Sequence, residues 1–135
     1  MTYVLDDQVG YVLRRVTQRH LSIFSEAIPD VTTTQWAVLA RLDEEGAQSQ
    51  NLLGRATAMD AATVKGVVDR LVRQGLVATN SDPDDKRRLI VSMTTEGKAM
   101  VQNAIPAALA VSDLTLEPLS PAERMQLLQL LARLT

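Results

Sequence analysis

The chain has 135 residues, 46% of them hydrophobic and 22% charged, which is typical of one folded domain and not of a disordered segment. The absence of cysteine excludes disulfides, thiolate catalysis and cysteine-ligated metal sites, and the single histidine, His20, is too few for a histidine cluster. The net charge of −2, taken alone, argues against nucleic acid as a partner. The sum does not decide the question, because the charge near a binding site can differ from it.

The sequence carries no sign of a membrane or targeting segment. No apolar run approaches the roughly 20 residues that a bilayer span requires, and residues 1–7 lack the basic and apolar regions of a signal peptide. We expect a cytoplasmic protein with no membrane partner, no metal and no cofactor.

The first part of the chain predicts two helices. Between about residues 6 and 27, one helical stripe is formed at steps of three and four by Val9, Leu13, Val16, His20, Ile23 and Phe24. Thr32 and Gln35 then form a capping box, in which each side chain can bond a free backbone amide at the start of a helix. That second helix is expected to end near Gly46.

Two short helices joined by a tight turn are predicted next. Ser49 can cap the first, residues 57–59 are typical of a turn, and Asp60 can cap the second, which Gly75 ends. This arrangement is the helix-turn-helix pattern. Beyond it, residues 76–79 and 89–93 predict two strands around a turn-rich loop at 80–85, a hairpin with a charged tip that forms a wing.

Two further helices are expected at the end of the chain. Thr94 can cap the first, and Pro106 should kink or interrupt it. Ser120 and Glu123 form a second capping box ahead of a leucine-rich helix. The expected fold class is therefore mainly α with a small β wing, in a single domain over residues 1–135. A winged helix-turn-helix core at about 32–94 is flanked by terminal helices at about 4–28 and 95–135.

The terminal helices carry more apolar side chains than the small central block can cover. We expect them to be dimerisation helices that pack against a second copy, because helix-turn-helix proteins usually bind two half-sites related by two-fold symmetry. The alternative, a monomer in which they fold back on the same chain, stays open.

Three stretches resemble the MarR family of bacterial transcriptional regulators, and the resemblance extends over almost the whole chain. Residues 85–97 are similar to the family's wing signature, Asp-x-Arg followed by an alternating strand and then Thr-x-x-Gly. Residues 69–71 with 75–77 resemble the end of its recognition helix, and residues 34–39 resemble its second helix. The resemblance implies a homodimer that binds double-stranded DNA at a palindromic operator.

Two features depart from the family pattern. Met93 occupies a position where leucine is usual, a mild change in the core. Ala61 and Ala62 open the recognition helix where more polar side chains are common. The side chains of these two residues have no group that can hydrogen-bond to a base, but their methyl groups can contact thymine methyls.

A recognition helix presents its amino-terminal residues to base edges in the major groove. The residues expected in that role are Ala61, Ala62, Thr63, Lys65 and Gly66. Thr63 and Lys65 supply polar groups, and Gly66 permits close approach. Arg70 can reach a phosphate. The alternatives are an ordinary surface threonine at position 63 and an ion pair within the fold for Arg70.

For the wing, the resemblance implies that Arg87 enters the minor groove, oriented by a charge-assisted hydrogen bond to Asp85. Lys86 and Arg88 are expected to attract phosphates without reading sequence. The alternative is a solvated charged turn that contributes little. Free backbone amides that can hold a phosphate are expected where the preceding helix opens, at Ser49, Gln50 and Asn51.

The family commonly binds small aromatic acids between its dimerisation helices and its winged helix. A flat ring bearing a carboxylate suits basic and aromatic side chains, and the residues expected to supply them are Arg15, Arg19, His20, Phe24 and Trp36. The alternatives are a hydrogen-bonded core histidine, arginines at the dimer surface, and a tryptophan of the core.

These features favour a sequence-specific DNA-binding transcriptional regulator. We expect a repressor that is released from its operator by an aromatic or heteroaromatic carboxylate from a catabolic pathway. The alternative is a winged-helix protein-interaction module without ligand sensing, against which the basic wing and Lys65 argue. No nucleophile–base pair, phosphate loop or metal-ligand spacing indicates an enzyme.

Overall fold

The computed structural model describes all residues from Met1 to Thr135 and is mainly helical with one small sheet. The chain divides into two compact units. We call residues 1–29 and 106–135 the terminal unit, and residues 30–105 the central unit. None of the helices is both long enough and apolar enough to cross a bilayer.

The terminal unit consists of helical segments. A short 3-10 turn at Leu5–Asp7 precedes α1 (Val9–Ala27). The helix α5 (Thr95–Thr115) begins in the central unit and ends in the terminal unit, and α6 (Pro121–Ala132) follows it. The capping box of Ser120 and Glu123 that opens α6 is present.

Pro106 was expected to kink or to interrupt α5, and the interruption does not occur. The helix continues through Pro106 for nine further residues, to Thr115. Proline removes one N–H donor from the ladder of a helix, and its ring crowds the carbonyl four residues before it. In a helix of 21 residues, the remaining hydrogen bonds hold the backbone on both sides of the gap.

The central unit has the chain order of a winged helix. Three helices come first, α2 (Thr33–Glu45), α3 (Gln50–Ala56) and α4 (Ala61–Arg73). The predicted hairpin is formed by β2 (Val77–Ser81) and β3 (Leu89–Met93), which are antiparallel, with Val77 opposite Met93. The wing strand β2 extends two residues further than expected.

A third strand was not predicted. The two residues of β1 (Gln48–Ser49) pair with the middle of β3, so the sheet order is β1-β3-β2. Gln48 is opposite Val91, and Ser49 is opposite Ile90. Because Ser49 is also the N-cap of α3, this pairing ties the start of α3 to the base of the wing.

The predicted caps set the limits of the helices. Thr32 and Gln35 form their capping box at the start of α2, and the Ser49 hydroxyl accepts a hydrogen bond from the Leu52 amide at the start of α3. The turn before α4 contains Ala58 in the left-handed region, at φ 57°, a conformation that costs an alanine about 1–2 kcal/mol. The amide of Met59 closes this turn on the carbonyl of Gly54.

The core of the central unit is aliphatic, as the scarcity of aromatic residues requires. Its fully buried side chains come from every helix and from the central strand of the sheet: Val38, Leu39, Leu53, Val64, Val68, Leu71, Val91 and Val101. Val64, Val68 and Leu71 lie at steps of three and four on α4 and thereby fix which face of that helix is exposed.

Thr94 and Gly97 join the end of the wing to its neighbours. The Thr94 hydroxyl donates to the carbonyl of Gly75 over 2.7 Å and accepts from the amide of Gly97 over 3.0 Å. The Thr94 amide donates to the carbonyl of Leu76 over 3.1 Å. One residue therefore connects the end of α4, the strand β3 and the start of α5.

Gly97 lies so close to Leu76 that a side chain has no room, which gives a first prediction. A Cβ atom at position 97 would overlap the carbonyl oxygen of Leu76 and lie 2.9 Å from Met93 Cγ. We expect Gly97→Ala to lower the free energy of unfolding by about 2–3 kcal/mol, measured by urea denaturation at fixed protein concentration.

Gly66→Ala is the matched control for this substitution. An added Cβ there meets no atom within 4 Å, so the variant should lose no stability and gain about 0.5–1 kcal/mol from the higher helix propensity of alanine. A Gly97→Ala protein with the urea midpoint of the parent would refute the close contact.

Candidate nucleic-acid interface

The helix α4 has one buried face and one exposed face. The buried face is aliphatic, and the exposed face is formed by the side chains of Ala61, Ala62, Thr63, Lys65, Asp69, Arg70 and Arg73. All the residues predicted to read bases from this helix lie on or beside the exposed face. The exposed face carries small, uncharged side chains near the start of the helix and charged side chains from Lys65 onward.

Asp60 fixes the start of α4. Its Oδ1 atom accepts a hydrogen bond of 2.7 Å from the amide of Thr63. Hydrogen bonds from the backbone and side chain of Thr63 lower the pKa of Asp60 below its ordinary value of 3.8. The cap is therefore a carboxylate at neutral pH, next to the positive end of the helix dipole.

The cations on the exposed face of α4 differ in their partners. Lys65 Nζ lies 2.8 Å from Asp69 Oδ2, one helical turn away. Arg70 makes no ion pair within the chain, so the alternative of an internal pair for this residue does not hold. Its guanidinium is exposed and free to meet a phosphate.

Arg87 projects from the wing and is steered by its neighbour Asp85. The side chain of Arg87 is 91% exposed, and its Nε donates to Asp85 Oδ1 over 3.2 Å. The same oxygen accepts from the Arg87 amide over 3.0 Å. These hydrogen bonds from Arg87 lower the pKa of Asp85, so its carboxylate is charged at neutral pH. The carboxylate holds the Nε atom of the arginine side chain in place.

Arg88 helps to close the wing loop. Its guanidinium lies 4.0 Å from an oxygen of Asp82 and 3.9 Å from an oxygen of Asp85. The backbone amide of Asp82 donates to the carbonyl of Arg88 over 3.0 Å. Arg88 was expected only to attract phosphates, and the structure gives it this additional role in the shape of the loop.

The start of α3 and the base of the wing form one small cleft. Five of the residues predicted to bind DNA line this cleft of about 100 Å³, together with Leu89: Ser49, Gln50, Asn51, Arg87 and Arg88. The pairing of β1 with β3 produces this proximity, because it places the N-cap of α3 beside the wing. Lys86 lies at the exposed tip of the wing.

Sequence reasoning missed Arg55. It lines a cleft of about 380 Å³ between α3 and α4, with Asn51 on α3 and Ala61 at the start of α4. Arg55 makes no ion pair within the chain and is exposed. The only signal in the sequence was a cation in the last turn of a short helix before the recognition helix.

Four of the five predicted effector residues lie on α1, in the terminal unit. Arg19 donates to the carbonyls of Leu114 and Thr115 over 2.9 and 2.7 Å, and thereby caps the end of α5. His20 is half-buried, with Nδ1 2.8 Å from the hydroxyl of Thr115. This contact is the hydrogen-bonded histidine of the alternative interpretation.

The remaining effector candidates have different surroundings. The guanidinium carbon of Arg15 lies 5.9 Å from the ring centre of Tyr11, and Phe24 is buried. Trp36 is half-buried in α2 of the central unit. A cleft of about 390 Å³ in the terminal unit includes Arg19 alone among the five.

Known proteins with this sequence and fold identify the family. A family model described as the MarR family matches residues 30–88. The HTH-type transcriptional repressor NicR of Pseudomonas putida is 39% identical over 134 residues, which cover 98% of this chain and 85% of NicR. The chain belongs to the MarR family. It is thus a transcription regulator of the winged-helix type, as the wing signature at residues 85–97 indicated.

Two solved structures extend the likeness to the whole MarR-family chain. A probable transcriptional regulator from Pseudomonas aeruginosa superposes with a TM-score of 0.95 at 49% identity, covering 98% of this chain and 100% of its own. BpsR of Bordetella bronchiseptica, whose DNA binding is regulated by 6-hydroxynicotinic acid, superposes with a TM-score of 0.94 at 40% identity. That match covers 99% of this chain and 97% of BpsR.

The cap at Asp60 gives a second prediction. Asp60→Ala should lower the melting temperature at pH 7, because the Thr63 amide loses its acceptor, and Asp60→Asn should retain most of the stability. Since the pKa of Asp60 is lowered on folding, its charge stabilises the protein above pH 3.8 and stops doing so as the pH falls through the lowered value.

The difference in melting temperature between the parent and Asp60→Asn should therefore shrink between pH 7 and pH 3. Thermal melts followed by circular dichroism at the two pH values measure it. A difference of equal size at both pH values would show that the charge of this cap contributes nothing.

Proposed function

We propose that this MarR-family chain is a homodimeric repressor that binds a palindromic operator and is released from it by a heteroaromatic carboxylate. The observation that carries the proposal is that the central unit holds the exposed face of α4 and the Arg87 wing on one framework. The start of α3 lies beside the wing in that unit. The three elements can therefore contact adjoining parts of one DNA site.

The proposed binding mode assigns a different groove to each element. Residues at the start of α4 meet base edges in the major groove, and Arg87 enters the neighbouring minor groove. Arg55, Arg70 and Lys86, which make no ion pairs within the chain, meet phosphates. The negative net charge of the chain does not oppose this mode, because the local charge decides and these three cations are exposed.

A second copy of the chain is the partner that best fits the exposed apolar surface of the terminal unit. No residue of α6 is buried in the single chain, and the exposed side chains of the unit include Val9, Val16, Leu109, Met125, Leu128 and Leu134. Apolar surface of this extent is typical of an interface between protein chains. Two copies would present two α4 helices to half-sites about one helical turn apart.

The proposed effector is a pyridine carboxylate or a related aromatic acid. BpsR, at 40% identity, responds to 6-hydroxynicotinic acid, and α1 of this chain carries arginines that can bind a carboxylate. The guanidinium of Arg19 uses two of its N–H groups on carbonyls of α5, and Arg15 uses none on another residue of the chain. We therefore assign the effector carboxylate to Arg15, with Arg19 beside the ring.

The first experiment tests DNA binding through the wing. Arg87→Ala should weaken binding to the operator by about 10- to 100-fold, because a desolvated contact in the minor groove is lost. Lys86→Ala removes a phosphate contact only, so it should weaken binding to all duplexes alike and lower the salt dependence by about one ion. Fluorescence anisotropy with the DNA upstream of the chain's own gene measures both.

A protein-interaction module is the competing interpretation. It predicts that neither variant changes DNA binding, because the parent would bind no duplex above the background of unrelated DNA. Light scattering on the same samples measures the mass of the free protein, and a monomer at micromolar concentration would contradict the proposed dimer.

The second experiment tests the effector. In a thermal-shift assay 6-hydroxynicotinic acid should raise the melting temperature, and in the anisotropy assay it should release the operator. The amide of the same acid, which lacks the carboxylate charge, should do neither. Arg15→Gln should reduce the affinity for the acid by about 10- to 100-fold, because a charge-assisted pair is lost.

Arg14→Gln is the matched control, because it removes a neighbouring cation of α1 that is not assigned to the effector. This variant should respond to 6-hydroxynicotinic acid as the parent does. An equal loss in Arg14→Gln would mean that the acid is attracted only by the general positive charge of α1.

A further inference from the structure

Lys65 is the one cation on the exposed face of α4 that has a carboxylate partner. Its Nζ lies 2.8 Å from Asp69 Oδ2, whereas Arg70 and Arg73 make no ion pair. The side chains of the pair are 64% and 48% exposed. The Lys65–Asp69 pair is therefore a joined donor and acceptor that a ligand can reach.

The stability of α4 does not explain this pair. Exposed ion pairs one turn apart on a helix contribute little. The order found here, with the cation nearer the amino terminus and the anion nearer the carboxyl terminus, is the less favourable one in the field of the helix dipole. The helix therefore loses little stability when these two side chains turn to a ligand.

The pair matches the major-groove edge of a G·C base pair. An ammonium group has three N–H donors, so Lys65 keeps two after donating to Asp69. Guanine presents two adjacent acceptors, N7 and O6, and the paired cytosine presents the N4 donor next to O6. O6 and N4 are themselves hydrogen-bonded at about 2.9 Å, close to the 2.8 Å between Nζ and Oδ2. Lys65 can donate to guanine while Asp69 accepts from cytosine.

An A·T base pair leaves part of the same pair unsatisfied. Adenine presents one acceptor, N7, beside the N6 donor, so Lys65 can donate once and Asp69 can accept from N6. The O4 acceptor of thymine lies beyond that donor. One N–H group of Lys65 would lose its water without gaining an acceptor. An unpaired donor in a closed interface is costly.

The surroundings of the pair permit a close approach to DNA. Gly66 follows Lys65, and Ala62 lies one turn before Gly66 on the exposed face. A Cβ atom at Gly66 would meet nothing within 4 Å, so the fold does not require glycine there. At Gly54, by contrast, an added Cβ would lie in a tight contact, 3.1 Å from the carbonyl oxygen of Met59.

We propose that Lys65 and Asp69 act as one unit that reads a single G·C base pair in each operator half-site. The inference rests on the proposed function and adds to it the identity of one base pair and of the acidic residue that helps to select it.

The test starts from an operator obtained by selection of random duplexes with the parent protein. The critical pair is the G·C pair that this selection enriches most strongly in each half-site. Its exchange for A·T should weaken binding of the parent by about 5- to 150-fold, the range for loss of one good base contact. Lys65→Met should bind both duplexes with equal affinity, and Asp69→Ala should show a reduced preference for G·C. Melting temperatures within about 2 °C of the parent would show that both variants are folded.

Base analogues locate the contact without a change in the protein. Replacing the critical guanine by 7-deazaguanine, which lacks the N7 acceptor, should weaken binding of the parent but not of Lys65→Met. Inosine, which differs from guanine only in the minor groove, should leave the affinity unchanged. A loss with inosine equal to that with 7-deazaguanine would overturn the proposal.

Arg70→Met is the matched control on the same helix. It should weaken binding to both duplexes equally and lower the salt dependence by about one ion, as loss of a phosphate contact does. Lys65→Met behaving in the same way would overturn the base-reading proposal and leave the proposed function intact. If the selection enriches no sequence at all, the proposed function itself fails.

Discussion

The three hydrogen bonds of Thr94 set the geometry on which DNA recognition by this chain depends. They join the carbonyls of Gly75 and Leu76, where α4 has just ended, to the start of α5. The strand β3 ends at the preceding residue, Met93, so the wing cannot move far relative to α4 without breaking these hydrogen bonds. Gly97 completes the joint, because only a residue without a side chain can lie against the carbonyl of Leu76. This requirement is the physical reason for the Thr-x-x-Gly motif of the chain.

Most of the fold was predictable because its boundaries are set by local chemistry. The caps at Thr32, Ser49, Asp60 and Ser120 need only a short polar side chain at the right spacing, which a sequence displays directly. The strand β1 was not predictable, since Gln48 and Ser49 have no strand pattern and are a strand only because β3 pairs with them. The extension of β2 through two turn-forming residues has the same origin, because Ile90 and Leu89 are their partners.

The candidate site was predictable where a motif fixes the position of a side chain. Arg87 and Asp85 form the expected hydrogen bond because they lie only two positions apart, in the same turn. Arg55 was missed because its place beside Ala61 depends on how α3 meets α4. The role of Arg19 as a cap on α5 depends on contacts with Leu114 and Thr115, which lie 95 and 96 positions further along the chain. No local pattern reveals such contacts.

The cations that the proposed mode places on DNA differ in whether a carboxylate lies beside them. Lys65 and Arg87, which the proposed mode places at bases, each have a carboxylate within 3.2 Å. Arg88 lies 3.9–4.0 Å from the carboxylates that help it to close the wing loop, whereas Arg55, Arg70 and Lys86 have no such partner. A carboxylate beside a cation weakens its attraction to any phosphate, and so lowers affinity for DNA of every sequence. It leaves the directed hydrogen bonds to a base edge available. Specificity is a difference between two affinities, so a carboxylate raises it only where the repulsion from phosphates is offset on the matching sequence alone. An acidic chain can on this argument recognise a DNA sequence, because two of its carboxylates, on Asp69 and Asp85, orient the side chains that read it.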